Sequence, residues 1–389
     1  MAACSDPAAS TDASADVADD EDSAPSTDID DAAADPFVGH VARIELGKHI
    51  TNTDGYASPI DLALPIGATS VVITVDGPPG VFFNIASLAS SSGLSIVPKA
   101  WISFSPQPMA CLSSCPNRVI AQPGTASFLV PNTPLVKLPA GLRFRVYAFE
   151  RDGKAYPPRE ASFTAWAHVV RKTAKQRMKG RVALNIGATG ALGLSKSTIL
   201  KDPRVAKAIK TARSVFAQAG IELEPINAFD AAKIPLIARQ NGAKAELTKL
   251  FWSGKSTGMG VNVFLVDKVL AAVQSGPGAN VLSGVSGGVP GPPLVVGTTR
   301  SGIALSLDLA PGQPDTLGRT LAHELAHFLG LFHTVEDPTF GAMISDELPD
   351  TGAESDNLMH WSVSDTSQVL TSQQRHILHS NPWVIPVSE

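Results

Sequence analysis

The chain has 389 residues, 44% of them hydrophobic and only 17% charged, which is enough apolar material for two cores, so two domains are the natural expectation. A net charge of −5 gives no basic footprint for nucleic acid. No apolar run reaches the length of a membrane-spanning helix.

Residues 1–36 are a different material from the rest. Ala, Ser, Thr and Asp dominate from Ser5 to Asp35 with almost no large apolar side chains, so this stretch cannot offset its own ordering entropy and is predicted to be a disordered acidic tether. Its start, Met1-Ala2-Ala3-Cys4, resembles the end of a bacterial lipoprotein signal, in which small residues precede a cysteine that becomes lipidated. The charged and apolar parts of such a signal do not precede it here, as expected of a sequence that starts near a mature terminus. Two readings stand: a lipidated Cys4 that tethers a secreted or cell-surface protein to a membrane, or a stray cysteine in a tail.

From 37 to 171 the pattern is β throughout. Short apolar runs such as Val41–Leu46, Ser70–Val75, Val81–Ile85, Arg143–Phe149 and Phe163–Val170 are separated by Gly, Pro, Ser and Asp, which predicts an antiparallel β-sandwich domain. Nothing in it has catalytic spacing. Binding, shielding of a cleft and help with folding are all compatible with it. His40, His49 and His168 read as surface or satisfied core residues. Cys111 and Cys115 are close enough for a small loop disulfide in an exported protein, with two free thiols as the other reading.

Lys172, Lys175, Arg177, Lys179 and Arg181 crowd the boundary that follows, as a solvated linker or as a cleavage site that frees what comes next. Residues 180–389 then open as an α/β unit. Val182–Ile186 reads as a strand, and Asp202-Pro203 supplies an N-cap and first-turn proline for a helix with Val205, Ile209, Ala212 and Phe216 on one side. Ile221–Leu223 and Gly260–Val266 add strands and Ala243–Phe251 a helix, while the Gly- and Pro-rich stretch Ser275–Thr299 is predicted to loop over a cleft. Ser301–Leu307 reads as a further strand.

The stretch His323–His333 reads H-E-x-x-H-x-x-G-x-x-H. His323 and His327, four apart, lie one above the other on a helix and can reach one metal ion, with Glu324 beside them. Continued straight, the helix would carry His333 away along its axis; Gly330 lets the chain stop and turn back. Three neutral imidazoles suit zinc and leave its fourth position open for a water, whose pKa the ion lowers. Glu324 is then placed to act as general base and to pass the proton to a leaving amine. Leu317, Leu321, Leu325 and Phe328 form a core stripe on this helix, with Thr320, His323, Glu324 and His327 on another face; Asp315 and Thr316 are suited to cap it.

Beyond the last histidine, Asp346, Glu347, Asp350, Glu354 and Asp356 are crowded together, either as oxygen ligands for calcium or as a solvated acidic loop. Met359 follows in Asp356-Asn357-Leu358-Met359-His360-Trp361, and Leu370-Thr371-Ser372-Gln373-Gln374 then starts a helix.

On these residues the chain resembles the metzincin zinc metallopeptidases, which carry the extended histidine motif and a methionine turn beneath the metal. The Asn-Leu-Met turn at Met359 and the Leu-Thr-x-x-Gln start at Leu370 are most similar to the pappalysin-like branch; Met343 lies nearer to His333 but in a context unlike that turn. The resemblance spans about Gly180 to Pro382. It implies an α+β protein, an N-terminal antiparallel β-sandwich followed by a metzincin-like α/β catalytic domain with an active-site helix and Met-turn. It further implies a zinc endopeptidase acting on proteins or peptides, with His323, His327 and His333 as ligands, Glu324 as base, calcium near the acidic loop, and Ser301–Leu307 as the edge strand that holds the substrate backbone. One departure stands out. Where many relatives have a tyrosine two residues after the turn methionine this chain has Trp361, and no tyrosine follows Tyr156, so no phenol of this half can stabilise an oxyanion. A catalytically weak metzincin-like surface binding protein and a zinc amidohydrolase with a non-peptide substrate are the alternative readings.

Overall fold

Alternation of apolar and polar residues builds the first half. In the strand Gly141–Phe149, Leu142, Phe144, Val146 and Ala148 are buried while Arg143, Arg145 and Tyr147 face outward, the period-two pattern of a strand with one wet face. The computed structural model describes residues 37–387 except 98–101, 104–117, 153–155, 239, 241, 243, 271–280, 308–315, 337–344 and 365. Cys4, Cys111, Cys115, Asp315 and Met343 lie outside the described residues, as does the 1–36 segment.

Two antiparallel sheets form a sandwich. One has the strand order Val41–Ile50, Ser162–Val170, Ser70–Asp76, Thr125–Val130; the other runs Ile60–Ala63, Gly141–Phe149, Phe82–Ser90, Ser95–Val97. Val71, Ile73, Val75 and Phe128 of the first share one apolar cluster with Phe83, Ile85, Phe144 and Val146 of the second.

The second half is a mixed α/β layer. Its sheet runs Ile221–Asp230, Gly180–Ala188, Val261–Val266, Ile303–Ser306, Gly284–Ser286, with the first four parallel and the last antiparallel. Asp202 caps helix α1 (Pro203–Ala217) by accepting from the amides of Arg204 and Val205, with Pro203 in the first turn. Helix α2 (Glu246–Ser253) covers one region of the sheet through Leu247, Leu250 and Phe251. Helix α3 (Thr316–Phe328) packs beside α1, so that Val205, Ile209, Ala212 and Phe216 meet Leu317, Leu321, Leu325 and Phe328 in one core with the sheet. Helix α4 (Ser372–Ser380) opens with a reciprocal capping box between Thr371 and Gln374. Among the described residues, no helix is long and apolar enough to cross a membrane.

Two sequence expectations are corrected here. Ile303–Ser306 is not the edge of the sheet. It is buried along its whole length and paired on both sides, and a run of uniformly buried residues marks an interior strand. The edge is Gly284–Ser286, inside the stretch expected to be loop; three residues beginning with glycine carry too little periodicity to be read as a strand. The basic run at the boundary is also not uniformly solvated. Lys172 is 2% exposed, and its ammonium donates to the carbonyls of His379, Asn381 and Val384 at 2.7, 3.1 and 2.6 Å.

Lys172 is one of several ties between the halves, and Pro36–Glu389 forms one compact unit. Ser70 Oγ donates to the Ser380 carbonyl at 2.6 Å, the Thr125 amide donates to Thr299 Oγ1 at 2.8 Å, and Arg300 Nε donates to the Pro123 carbonyl at 3.1 Å. Val72 and Leu129 of the sandwich belong to the apolar cluster that surrounds α3.

Candidate metal centre

Helix α3 carries the first two histidines, and the way it ends delivers the third. Gly330 has φ +114°, outside what other residues adopt without strain. Its amide bonds to the His327 carbonyl at 2.9 Å and the Leu331 amide to the Ala326 carbonyl at 3.0 Å, the paired bonds of a Schellman stop. A side chain at 330 would also sit 2.8 Å from Leu129 Cδ2, so the sandwich packs directly against the turn. The reversal brings His333 Nε2 to 3.2 Å from His323 Nε2 and 3.0 Å from His327 Nε2.

The other ring nitrogens decide what those contacts mean. His323 Nδ1 lies 2.7 Å from the Leu358 carbonyl, His327 Nδ1 2.6 Å from the Leu331 carbonyl, and His333 Nδ1 2.8 Å from Glu336 Oε2. A carbonyl or carboxylate only accepts, so each Nδ1 carries the ring proton and each Nε2 presents a bare lone pair. Three lone pairs gathered within 4.8 Å of one another, two of the separations being 3.0 and 3.2 Å, repel unless a cation lies between them. Metal–nitrogen distances of about 2.0–2.1 Å around a tetrahedral ion put neighbouring ligand nitrogens about 3.3–3.4 Å apart, close to the separations seen. The trio fits a metal ion, and it is the one group of three or more candidate ligands among the described residues.

Burial keeps His323 and His327 neutral, as metal binding requires. Desolvation, reinforced by the neighbouring His333, lowers His323 to about 3 and, with His323 and His333 beside it, holds His327 well below the ordinary imidazole value. Glu324 keeps some exposure, yet protein packs around it, and this desolvation pushes its carboxyl up to about 8 against a hydrogen bond from the Ser286 amide. A cation beside it would pull that value back down. The bond to Ser286 ties Glu324 to the edge strand. Gly284 lets the strand approach: a Cβ there would lie 2.8 Å from Glu324 Cγ and 2.9 Å from Thr320 Cγ2.

The residues after His333 brace the site from below. The Leu358 carbonyl that fixes His323 belongs to the turn containing Met359, which is fully buried. Asn357 Oδ1 accepts from the Met359 amide at 2.8 Å, and Asn357 and Gln374 exchange two side-chain amide bonds of 3.0 and 3.2 Å. Gln374 therefore both closes the capping box of α4 and locks the turn. Trp361, in contrast, is 38% exposed beside His360, which bonds only within its own loop. Tyr56, Tyr147 and Tyr156 are gathered near Phe149 in the sandwich, so no phenol adjoins the histidines.

Two features escaped the sequence reading. Glu336 is the carboxylate behind His333; burial acts to raise it, but the hydrogen bond from His333 and the Arg118 guanidinium outweigh that and hold it well below its usual range. Its i+3 spacing from His333 was the available signal. Arg118, from the sandwich, pairs with Glu336 at 3.0 Å across 218 residues of chain, a separation that leaves no local trace. In the acidic stretch, Asp346 and Glu347 are buried, whereas Glu354 and Asp356 are exposed. Asp346 Oδ2 and Glu347 Oε2 have no hydrogen-bond partner, and burial pushes Asp346 up to about 7 and Glu347 well above its usual range.

No protein-family profile and no curated protein sequence matches the chain. Among solved structures, metalloproteinase-II from Bacteroides fragilis is similar over 56% of this chain and 62% of its own, at 12% identity and a TM-score of 0.32. The infectious bursal disease virus VP2 subviral particle is similar over 34% and 32%, at 12% identity and a TM-score of 0.20. A family two carbohydrate esterase from Clostridium thermocellum is similar over 59% and 65%, at 11% identity and a TM-score of 0.16. The chain spans less than two thirds of the length of each of these structures. Likenesses at these scores carry no argument about activity, and the site stands on its own geometry.

Proposed function

We propose that this protein is a zinc-dependent peptidase of the metzincin type, with His323, His327 and His333 as metal ligands and Glu324 as general base. The observation that carries the reading is the set of three Nε2 lone pairs facing one another with every Nδ1 proton already spent on an acceptor. Zinc, when bound there, would supply a Lewis acid that makes a water nucleophilic near neutral pH and polarises a substrate carbonyl. Glu324, one residue along from His323 on the cleft side of α3, takes the proton of the attacking water on its carboxylate and returns it to the amide nitrogen as the peptide bond breaks. The Ser286 amide holds that carboxylate in place. Among the described residues no strand pairs with the outer side of Gly284–Ser286, so an extended peptide can add there beside Glu324.

The absence of a tyrosine near the site favours one alternative, a weak enzyme that chiefly binds its partners. Glu324→Gln separates the two. The peptidase reading expects it to bind zinc stoichiometrically and to lose peptide cleavage by about 10²–10⁴-fold; cleavage at the wild-type rate would refute the assigned base. Screening peptide libraries against non-peptide amides and esters tests the substrate class, and absence of near-stoichiometric zinc in the purified protein would overturn the metal reading itself.

The proposal has two further parts. Calcium is assigned to the buried Asp346 and Glu347, whose unpaired oxygens suit a hard cation; a thermal transition unmoved by calcium would remove it. Export and a lipid on Cys4 rest on the amino-terminal sequence alone, and mass spectrometry of the protein from its native host tests both.

A further inference from the structure

The β-sandwich has no catalytic spacing in its sequence, yet one of its residues reaches the metal centre. Arg118 is 5% exposed. Its guanidinium lies 4.6 Å over the ring of Phe332, the residue before the third histidine, and donates through Nη2 to Glu336 Oε1 at 3.0 Å. The other oxygen of the same carboxylate, Oε2, takes the proton of His333 Nδ1 at 2.8 Å. Arg118 is itself held from behind, since Asn132 Nδ2 donates to its carbonyl at 2.5 Å. The line runs from the Asn132 side chain, which fixes the Arg118 backbone, through the Arg118 guanidinium and the Glu336 carboxylate to His333, with Arg118 Nη1 buried and making no hydrogen bond. The first two histidines need no such support. They sit on a regular helix, and their Nδ1 protons go to backbone carbonyls. His333 follows a reversal, has no helix to orient it, and its Nδ1 proton goes to a side chain that must itself be fixed.

We propose that Arg118 is a positioning residue for the metal, fixing Glu336 so that His333 presents Nε2 to the ion, and that the sandwich is in this way part of the metal centre. The inference rests on the zinc reading above and extends it to a residue 205 positions before the first of the three histidines, His323, and 215 before His333. A carboxylate behind a ligand imidazole both orients the ring and raises its basicity, and loss of such support costs about 10–100-fold in metal affinity.

The test is a double-mutant cycle on full-length protein, read by zinc affinity in chelator competition and by the visible absorption of the cobalt-substituted form. Arg118→Gln and Glu336→Gln are each expected to weaken zinc by about tenfold or more, to alter the cobalt spectrum, and to be non-additive when combined, because Arg118 acts through Glu336. Arg118→Lys should recover part of the loss, since an ammonium can meet one carboxylate oxygen but does not stack as a planar guanidinium does. Arg143→Gln, which breaks an exposed pair with Asp61 elsewhere on the sandwich, should leave both readouts unchanged. Wild-type zinc affinity in folded Arg118→Gln, or additive losses in the double variant, would overturn the proposal. If Arg118→Gln does not fold, Arg118→Lys takes its place in the cycle with the same criterion. Failure of the wild-type protein to bind zinc at all would instead sink the metal reading on which the inference rests.

Discussion

Replacing Gly330 with alanine isolates the turn that brings His333 to His323 and His327. Two costs add there. A φ of +114° lies beyond the left-handed region that alanine tolerates, a strain of about 1–3 kcal/mol. The new methyl would also lie 2.8 Å from Leu129 Cδ2, so a core leucine of the sandwich must shift, an overpacking cost of about 1–3 kcal/mol. The sum is about 2–6 kcal/mol, large against the stability of an ordinary protein. The consequence for the site follows from what the turn carries: the Leu331 carbonyl, one residue on, fixes His327, and His333 stands two residues further. Zinc affinity should therefore fall together with thermal stability. Two controls separate the terms. Gly193→Ala, at φ +74° with nothing within 4 Å, meets backbone strain without a clash, and Gly80→Ala meets neither. Thermal unfolding of the zinc-free proteins and chelator competition for zinc give the two readouts. The expected order of loss is Gly330, then Gly193, then Gly80. A Gly330→Ala protein with the unfolding temperature of Gly193→Ala and wild-type zinc affinity would refute the reasoning.

Two other outcomes are expected. Lys172→Met leaves three interior carbonyls short of a donor and should destabilise the protein by about 1–3 kcal/mol, whereas Lys175→Met, on the exposed side of the same run, should be near neutral; equal effects in urea titration would show that the buried ammonium is not a tie between the halves. Metal-free protein should lose stability as pH rises from about 6.5 to 8. Glu324, Asp346 and Glu347 have folded values raised above their unfolded ones, so the fold holds protons that the unfolded chain has released, and that stabilisation disappears as pH passes through the folded values. Lys172, lowered to about 7 by burial, contributes the opposite slope above pH 7 but is one group against three. The depressed His323 and His327 destabilise the fold only below about 6.5, where the unfolded chain takes up their protons. Melting curves across this range that are flat or rise with pH would contradict the assignment.

What could be read from the sequence alone was what lies within a few residues along the chain. Helical pitch puts His323 and His327 on one face whatever surrounds them, and Gly330 is readable because the conformation it allows is a property of that residue. The same holds for Asp202-Pro203 at the start of α1 and for the alternating strands of the sandwich. Thr371 and Gln374 announced a helix start, but only the folded chain shows Gln374 also gripping Asn357 beneath the histidines.

The tertiary structure decided the rest, since it turned on partners that no local pattern encodes. Which strand forms the sheet edge depends on how strands pair, and the three-residue edge at Gly284–Ser286 lies beside Glu324 only because the sheet ends there. Lys172 looks like any solvated lysine until a distant segment brings three carbonyls around it. Arg118 meets Glu336 only when the sandwich packs against the turn after α3. The spacing of three imidazoles is written in eleven consecutive residues, and two of the acceptors that turn each Nε2 inward, Leu331 and Glu336, lie within four residues of their histidines; the Leu358 carbonyl behind His323 and the Arg118 guanidinium behind Glu336 come from distant segments, where packing rather than sequence proximity selects the partner.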